Sequence, residues 1–222
     1  NGKFINKARE IINNEKYFEA DRFIEKYMVG SDINGYMPVG TLKIKFSHEN
    51  IADYIRKLDI ANSVYSCDYT SNEIKFHREG FVSHPNKVFA QKFTSENGNL
   101  NFEITIDSVT QSDSCIECGY LKLKGQTPIY LDYKEDILIY DNLPDADCVK
   151  FQAWIYVETD GEKIYGEKSI SVKNANYAII YQVSDTSFID WKTMPRKDPT
   201  VDCERFILKA INDGYDKIKE NH

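Results

Sequence analysis

Proline, glycine and cysteine are all scarce in this sequence. Its 222 residues include six prolines, eleven glycines and five cysteines, and no proline-rich or glycine/serine-rich linker divides them. A chain of this length could form one large all-β domain or two small ones, and because no linker divides it, a single domain over residues 1–222 is predicted.

The cysteines indicate neither a disulfide framework nor a metal site. They are odd in number and scattered along a chain long enough to build its own core, which favours free thiols, although a local disulfide stays open for an exported chain. Cys115 and Cys118 have the spacing of half a zinc knuckle, but no second pair and no nearby histidine supplies the other ligands. No metal ion and no cofactor is therefore predicted.

Positive charge and long apolar runs are also lacking. Lys and Arg number 28 against 35 Asp and Glu, which gives a net charge of -7. Binding to nucleic acid depends on clustered Lys and Arg that neutralise phosphates, so nucleic acid is not an expected partner. The chain has no run of about 18 apolar residues for a membrane span, and its first residues form no hydrophobic signal region. The cellular compartment stays open.

Strand-forming residues dominate the chain instead. Aromatic residues make up 13% of it, and most apolar stretches are rich in β-branched residues. Apolar and polar residues alternate with the period of two that a strand imposes, most clearly within residues 51–93. There, segments 61–70 and 72–93 predict a hairpin, and a break at 83–86 starts a third strand. Further strands are predicted at 36–46, 100–109, 120–124, 151–157, 170–172 and 177–183, with an Asp-Gly hairpin turn at 158–162 and an irregular loop at 127–147.

Helical periodicity is confined to the two ends. Residues 3–28 carry apolar residues at spacings of three and four with a break near Asn13, which predicts two short helices that end in the turn residues 30–35. Near the other end, Asp198 suits an N-cap and Pro199 the first helical turn, and an apolar stripe predicts a helix up to Gly214. The predicted fold class is all-β: a large antiparallel β-sandwich of two sheets, with short N-terminal helices and a C-terminal helix.

Seven segments form a pattern that spans nearly the whole chain. They are AREIINNEKYFEADRFIEKYM (8–28), YMPVGTLKIKF (36–46), YIRKLDIANSVYSCDY (54–69), FHREGFVSHPNKVFAQKF (76–93), VETDG (157–161), DTSF (185–188) and GYDKIKENH (214–222). In order and spacing they resemble the N-terminal domain of the α-L-fucosidases of glycoside hydrolase family 95.

The resemblance implies a super-sandwich that is the N-terminal domain of a larger glycoside hydrolase and packs against a following (α/α)6 barrel. In such enzymes the barrel carries the carboxylates that remove terminal fucose from glycans with inversion. The chain alone is therefore expected to be inactive, with no catalytic residue of its own. The family suggests an extracellular or cell-surface bacterial enzyme, and a cytoplasmic one stays open.

The chain departs from the family pattern at two points. Family members begin upstream with a glycine-rich LPLGNGRLGA-like stretch and an LNE-like stretch, so the first strands of the sandwich are expected to be absent here, together with the barrel. Thr41 stands where an Asp is common after the Pro-Val-Gly turn.

Six residues are candidates for a substrate cleft or a domain interface: Arg78, Glu79, His84, Thr186, Ser187 and Trp191. An arginine beside a carboxylate binds sugar hydroxyls well, although a cross-strand ion pair is the plainer interpretation of Arg78 and Glu79. His84 lies at a strand break, where it reaches either a cleft or only solvent. The resemblance makes Thr186 and Ser187 candidates for contact with the barrel, whereas by pattern alone they end a buried strand.

The two tryptophans receive different predictions. Trp191 lies in a polar loop and is a candidate for stacking on a sugar, whereas Trp154 lies in an apolar strand and is predicted to be core.

Two other classes of function remain alternatives for the whole chain. One is an autonomous carbohydrate-binding module with its own aromatic platform, and the other is a protein-interaction domain.

Overall fold

The computed structural model describes residues 2–28, 37–132, 137–143, 146 and 148–222. The chain forms two compact units, residues 1–36 and 37–222. The predicted turn at 30–35, the start of a strand at Tyr36 and part of the predicted loop at 127–147 lie outside the described residues.

The first unit contains the two predicted short helices. A 3-10 turn at Gly2–Phe4 leads into α1 (Ile5–Asn13), and α2 (Tyr17–Tyr27) follows after a break in which Glu15 has a φ of 59°. The rings of Phe4, Phe23 and Tyr27 pack together, with centroids 4.9 to 6.1 Å apart. This ring cluster and the buried alanines join the two helices.

The second unit is built from antiparallel strands and one long helix. Its elements in chain order are β1 (Thr41–Phe46), β2 (Ile51–Asp59), β3 (Val64–Ser71), β4 (Ile74–Ser83), β5 (Val88–Ser95), a 3-10 turn (Glu96–Gly98), β6 (Leu100–Asp107), β7 (Gln111–Glu117), β8 (Tyr120–Gln126), β9 (Tyr130–Asp132), β10 (Ile137–Ile139), β11 (Lys150–Thr159), β12 (Glu162–Tyr165), β13 (Ser169–Ala175), β14 (Tyr177–Thr186) and α3 (Pro199–Asn221). One sheet has the order β1-β6-β13-β12, the second has the order β2-β3-β4-β5-β14-β11-β8-β7, and β9 pairs with β10. The predicted all-β sandwich is confirmed.

The eight-stranded sheet is covered by apolar side chains on both faces. On one face, residues such as Ile155 and Leu121 join the inward side chains of the four-stranded sheet, such as Ile104, in the main core. On the other face, Trp154 and Tyr181 pack against α3 in a second core. Strand β14 is therefore buried on both faces, as its continuous apolar run predicts.

Helix α3 begins at the predicted residue but ends later. Asp198 caps it, since its side-chain oxygen accepts a hydrogen bond from the backbone N–H of Thr200 at 2.9 Å, and Pro199 occupies the first turn. Gly214 breaks the helix with a φ of 73°, yet the helix resumes and continues to Asn221. Burial of Ile218 against the sheet explains the continuation, because packing outweighs a single unfavourable residue.

The predicted Asp-Gly hairpin at 158–162 is wrong. Strand β11 pairs with β14 and β8, whereas β12 pairs with β13, so this turn carries the chain from one sheet to the other. Asp160 accepts hydrogen bonds from the backbone N–H groups of Asn176 and Tyr177 at 2.9 and 3.0 Å, which ties the turn to the start of β14. A Cβ at Gly161 would lie 2.4 Å from the carbonyl oxygen of Lys173. Glycine is required here because the turn and the backbone of β13 approach each other this closely.

Several further strands differ from the sequence prediction. The first strand of the central hairpin begins at Val64 rather than at residue 61, because 60–63 form the turn from β2. Strands β2 and β7 were not predicted, and the irregular loop at 127–147 contains the short pair β9 and β10. In the part of the chain that the structure describes, no helix is both long and apolar enough to cross a membrane.

Candidate functional site

Arg78 lies in the middle of β4, on the face that points toward the four-stranded sheet. Its guanidinium is 5.1 to 5.9 Å from the centres of three rings, those of Tyr69, Phe46 and Phe93. One terminal nitrogen donates a hydrogen bond to the hydroxyl of Tyr69 at 2.9 Å, and Nε is buried without a hydrogen-bond partner. No carboxylate of the described residues forms an ion pair with this guanidinium. Its charge is therefore stabilised by cation–π contacts with aromatic rings and by one hydrogen bond to a hydroxyl.

A pocket of about 590 Å³ opens beside Arg78, within the range that small ligands occupy. Its lining residues are Tyr54, Arg56, Lys57, Leu58, Tyr65, Cys67, Arg78 and Gln91. Three of these side chains are cationic and none is acidic. We call this site the Arg78 pocket.

The floor of the Arg78 pocket is polar and ordered. The side-chain amide of the buried Gln91 donates a hydrogen bond to the hydroxyl of Tyr65. Burial raises the pKa of Tyr65, so its hydroxyl keeps its proton and can donate it to a ligand. Gly80 makes this arrangement possible, because a Cβ there would lie 2.6 Å from the ring of Tyr65.

A hydrogen-bonded chain runs from Arg78 to His48. The hydroxyl of Tyr69 accepts a hydrogen bond from Arg78 and is hydrogen-bonded to Nδ1 of His48 at 2.8 Å. Burial lowers the pKa of His48, and the charge of Arg78 lowers it further, so folding disfavours the protonated imidazole. The ring of His48 also packs 4.1 Å, centre to centre, from that of Phe76.

Replacing His48 by phenylalanine is expected to remove part of the pH dependence of stability. The unfolded chain binds a proton at His48 below a pH of about 6.5, whereas the folded chain resists it, so the free energy of unfolding falls as pH decreases through this range. In His48→Phe this fall should be smaller, which urea unfolding at several pH values between about 5 and 8 would measure. His84→Ser serves as the control for loss of an exposed histidine. An unchanged pH profile in His48→Phe would contradict the lowered pKa of His48.

Glu79 lies on the opposite face of the same strand and contacts α3. Its carboxylate accepts hydrogen bonds from the hydroxyl of Tyr215 at 2.9 Å and from Nζ of Lys219 at 2.6 Å. Burial opposes its ionisation, but the hydrogen bonds from Lys219 and Tyr215 outweigh this effect, and the pKa of Glu79 is lowered. Arg78 and Glu79 therefore do not act as a pair, either as an ion pair or in one cleft.

Glu79→Gln is expected to lower the free energy of unfolding at neutral pH by about 1 kcal/mol, because it removes a charged partner from a partly exposed cluster. Since the carboxyl pKa is lowered in the folded chain, this contribution is present above the unfolded pKa and disappears as pH falls through the folded one. The difference between wild type and variant should thus shrink in acid, as urea unfolding would show. Glu204→Gln, an exposed change on α3, is the matched control, and a cost that persists unchanged in acid would contradict this account.

His84 lines a second groove, of about 550 Å³. Its lining residues are Val82, Ser83, His84, Lys87, Val88, Phe89, Gln182, Ser184, Asp185, Lys197, Asp202 and Phe206. Nε2 of the exposed His84 lies 3.0 Å from Nζ of Lys87. Lys197 bridges Asp185 at 2.6 Å and Asp202 at 3.1 Å, which fixes the segment before α3 to the end of β14.

The remaining candidates follow Asp185 along the chain but play different parts. Ser187 is buried, and its hydroxyl accepts a hydrogen bond from the backbone N–H of Lys150 at 2.9 Å. The hydroxyl of Thr186 accepts from the backbone N–H of Phe188 at 3.3 Å. Trp191 is 83% exposed, with Nζ of Lys192 4.8 Å from its ring centre. Ser187 thus links the end of β14 to the start of β11, whereas Trp191 exposes its ring to solvent.

Sequence reasoning missed two polar clusters and most of the Arg78 pocket. One cluster is the Lys197 bridge, and the other is the hydrogen-bonded pair of Asp68 and His77, whose Oδ1 and Nδ1 atoms are 2.6 Å apart. Asp68 and His77 are direct partners in the register of β3 and β4, which is a signal that a predicted hairpin register would supply.

All five cysteines are free, as favoured from the sequence, and no local disulfide joins Cys115 to Cys118. Across residues 2–28, 37–132, 137–143, 146 and 148–222, the structure brings together no group of three or more potential metal ligands. Trp154 is buried, with Nζ of Lys122 3.6 Å from its ring centre, so its assignment to the core is confirmed.

The fold defines the chain as a β-sandwich domain, with a helix on the outer face of the larger sheet and a polar pocket on its inner face. Comparison with known proteins identifies it as a domain of glycoside hydrolases. Residues 1–191 match the model of the family described as glycosyl hydrolase family 65, N-terminal domain. The chain belongs to this family.

Individual relatives were found among curated proteins and solved structures. The chain is 26% identical to α-L-fucosidase 2 of Arabidopsis thaliana over 235 aligned positions, which cover 97% of the chain and 27% of that protein. The chain thus spans about a quarter of the length of this curated relative. A solved structure described as a putative kojibiose phosphorylase from the human microbiome aligns with 81% of the chain and 23% of its own length, at 10% identity and a TM-score of 0.49.

Proposed function

We propose that this chain is the non-catalytic N-terminal sandwich domain of an α-L-fucosidase of glycoside hydrolase family 95. In this proposal the whole protein removes terminal fucose from glycans with inversion, and a following (α/α)6 domain carries the reacting carboxylates. The support is the likeness to a plant protein named α-L-fucosidase 2, together with the seven ordered segments that resemble the family. The family-level assignment to glycoside hydrolases is common to both comparisons.

The carboxyl groups whose pKa is clearly shifted support the non-catalytic part of the proposal. Inversion requires a carboxylic acid that stays protonated near neutral pH, which means that its pKa must be raised. Among the described residues, every Asp and Glu with a clearly shifted pKa has it lowered by hydrogen bonds or nearby cations. These carboxyl groups are stabilised in the charged form and are poorly suited to protonate a leaving oxygen.

Exposed apolar side chains support a position beside another domain. Large apolar residues of segment 188–201 are 46% to 83% exposed, and they follow directly after the candidates Thr186 and Ser187. These residues are Phe188, Ile189, Trp191, Met194 and Val201. We assign this segment, with His84 at the edge of the neighbouring groove, to the surface that faces the following domain.

An NMR experiment with fucosyl-lactose tests this proposal against the alternative of an autonomous carbohydrate-binding module. We expect the spectrum of the sugar to remain that of intact fucosyl-lactose, and Trp191→Ala to leave the spectrum of the chain unchanged outside its own loop. Signals of free fucose would contradict the non-catalytic assignment. Saturable binding of fucosyl-lactose that Trp191→Ala abolishes would favour the binding module instead.

A further inference from the structure

The Arg78 pocket carries an inference that does not depend on the fucosidase proposal. Its polar groups are donors that converge on one space. Arg78 lines this space, and the hydroxyl of Tyr65, which already accepts a hydrogen bond from Gln91, can still donate its own proton. Arg56 and Lys57 add two exposed cations at the rim. A site built from donors and cations is complementary to an oxyanion.

The charge of Arg78 lacks the partner that an enclosed arginine usually has. A guanidinium stays charged at any relevant pH, so it cannot lower the cost of burial by losing a proton. Ring contacts and the hydroxyl of Tyr69 offset part of that cost but leave Nε without an acceptor. A bound carboxylate or sulfate would supply the counter-charge that no carboxylate of the described residues provides, and the planar fork of arginine matches such groups in a bidentate geometry.

The walls of the pocket suit a sugar ring. Tyr54 and Leu58, both on β2, present exposed apolar surface at the rim, and Tyr65 adds a second ring. Aromatic rings pack against the C–H faces of sugars, while hydroxyl and amide groups beside them bind the sugar hydroxyls. The volume of about 590 Å³ leaves room for a ring with a charged substituent.

We propose that the Arg78 pocket binds an acidic sugar, with the carboxylate or sulfate of the sugar on Arg78 and Tyr65 and its ring against Tyr54. Arg56 and Lys57 steer the anion toward the pocket. Gln91 and Gly80 are positioning residues, since one hydrogen-bonds the Tyr65 hydroxyl and the other leaves space for the Tyr65 ring.

Titration of the isotope-labelled chain with D-galacturonate, galactose 6-sulfate, D-galactose and inorganic sulfate tests the proposal by NMR. We expect galacturonate or galactose 6-sulfate to bind at least about tenfold more tightly than galactose, with shifts at the pocket residues. The two acidic sugars distinguish carboxylate from sulfate as the bound group. Inorganic sulfate should bind more weakly than the preferred acidic sugar, because it makes no contact with Tyr54. Equal binding of galactose and both acidic sugars, or no binding of any probe, would overturn the proposal.

Variants localise the binding. Arg78→Lys keeps the charge but loses the planar fork, so the affinity for the preferred acidic sugar should fall about tenfold. Arg56→Ser changes an exposed residue and Tyr65→Phe removes only a hydroxyl, so both variants are expected to fold even if Arg78→Lys does not. Each should weaken binding of the preferred acidic sugar several-fold. Lys45→Ala, which removes an exposed cation from the four-stranded sheet, is the matched control. Unchanged affinity in Arg56→Ser and Tyr65→Phe would overturn the assignment to this pocket.

Discussion

Ile155→Ala is expected to lower the free energy of unfolding by about 2–5 kcal/mol, the usual cost of removing a large aliphatic side chain from a well-packed core. Ile155 is 0% exposed and lies in β11, an interior strand of the eight-stranded sheet. Its register partners are Leu121 on β8 and Gln182 on β14, and both neighbouring strands are held by continuous antiparallel pairing. The rigid surroundings limit how far the cavity can collapse, so the loss is expected to exceed the transfer free energy of the deleted atoms alone.

Urea unfolding followed by the fluorescence of the buried Trp154 would measure this loss. The matched control is Ile60→Ala, since Ile60 is 84% exposed in the turn after β2 and its removal should change stability by no more than about 0.5 kcal/mol. Equal effects of the two changes would contradict the placement of the main core between the sheets.

The second large effect concerns catalysis: the purified chain is expected to show no fucosidase turnover. Inversion needs a protonated acid beside the leaving oxygen and a base that holds water on the opposite face, about 6.5 to 9.5 Å away. Positioning of reacting groups supplies on the order of 7 to 11 kcal/mol of barrier reduction, so carboxyl groups that are not positioned in this way give almost none of the rate. Glu79 lies beside the candidate residue Arg78 in sequence but is bound to Lys219 and Tyr215, with a lowered pKa.

The fold follows from the sequence wherever one face of a strand is buried. Strand β6 buries Phe102, Ile104 and Ile106 in strict alternation, so its period of two is visible without a structure. Strand β2 is exposed at every position and carries a register shift between Ala52 and Ile55, so no alternation reveals it. Edge strand β7 is predominantly polar for a related reason, because it forms the end of its sheet.

The Asp-Gly turn shows a second limit of local patterns. Such a pair indicates a tight change of direction, but the sequence around it does not say which sheet the next strand joins. Here the outcome depends on β13, which pairs with both β12 and β6 and so draws the chain into the four-stranded sheet. The change of chain direction was predicted correctly, but the pairing of the two strands that flank the turn was not.

The candidate site was predictable in part. Arg78 and Glu79 stood out as a charged pair, yet consecutive residues of a strand point to opposite faces, so the period of two already argues against joint action. The partners that Arg78 does have lie on neighbouring strands, since Tyr69 comes from β3 and Phe93 from β5. Which residues meet across strands depends on register, and a shift of one residue would bring different side chains to Arg78.

Release of the chromophore from an aryl α-L-fucoside, measured for the wild-type chain, Glu79→Gln and the α-L-fucosidase 2 of Arabidopsis thaliana as a positive control, tests the central claim most directly. The predicted result is turnover by the positive control and none above the uncatalysed rate by either form of the chain. Turnover by the wild-type chain that disappears in Glu79→Gln, with the variant still folded, would contradict the non-catalytic assignment.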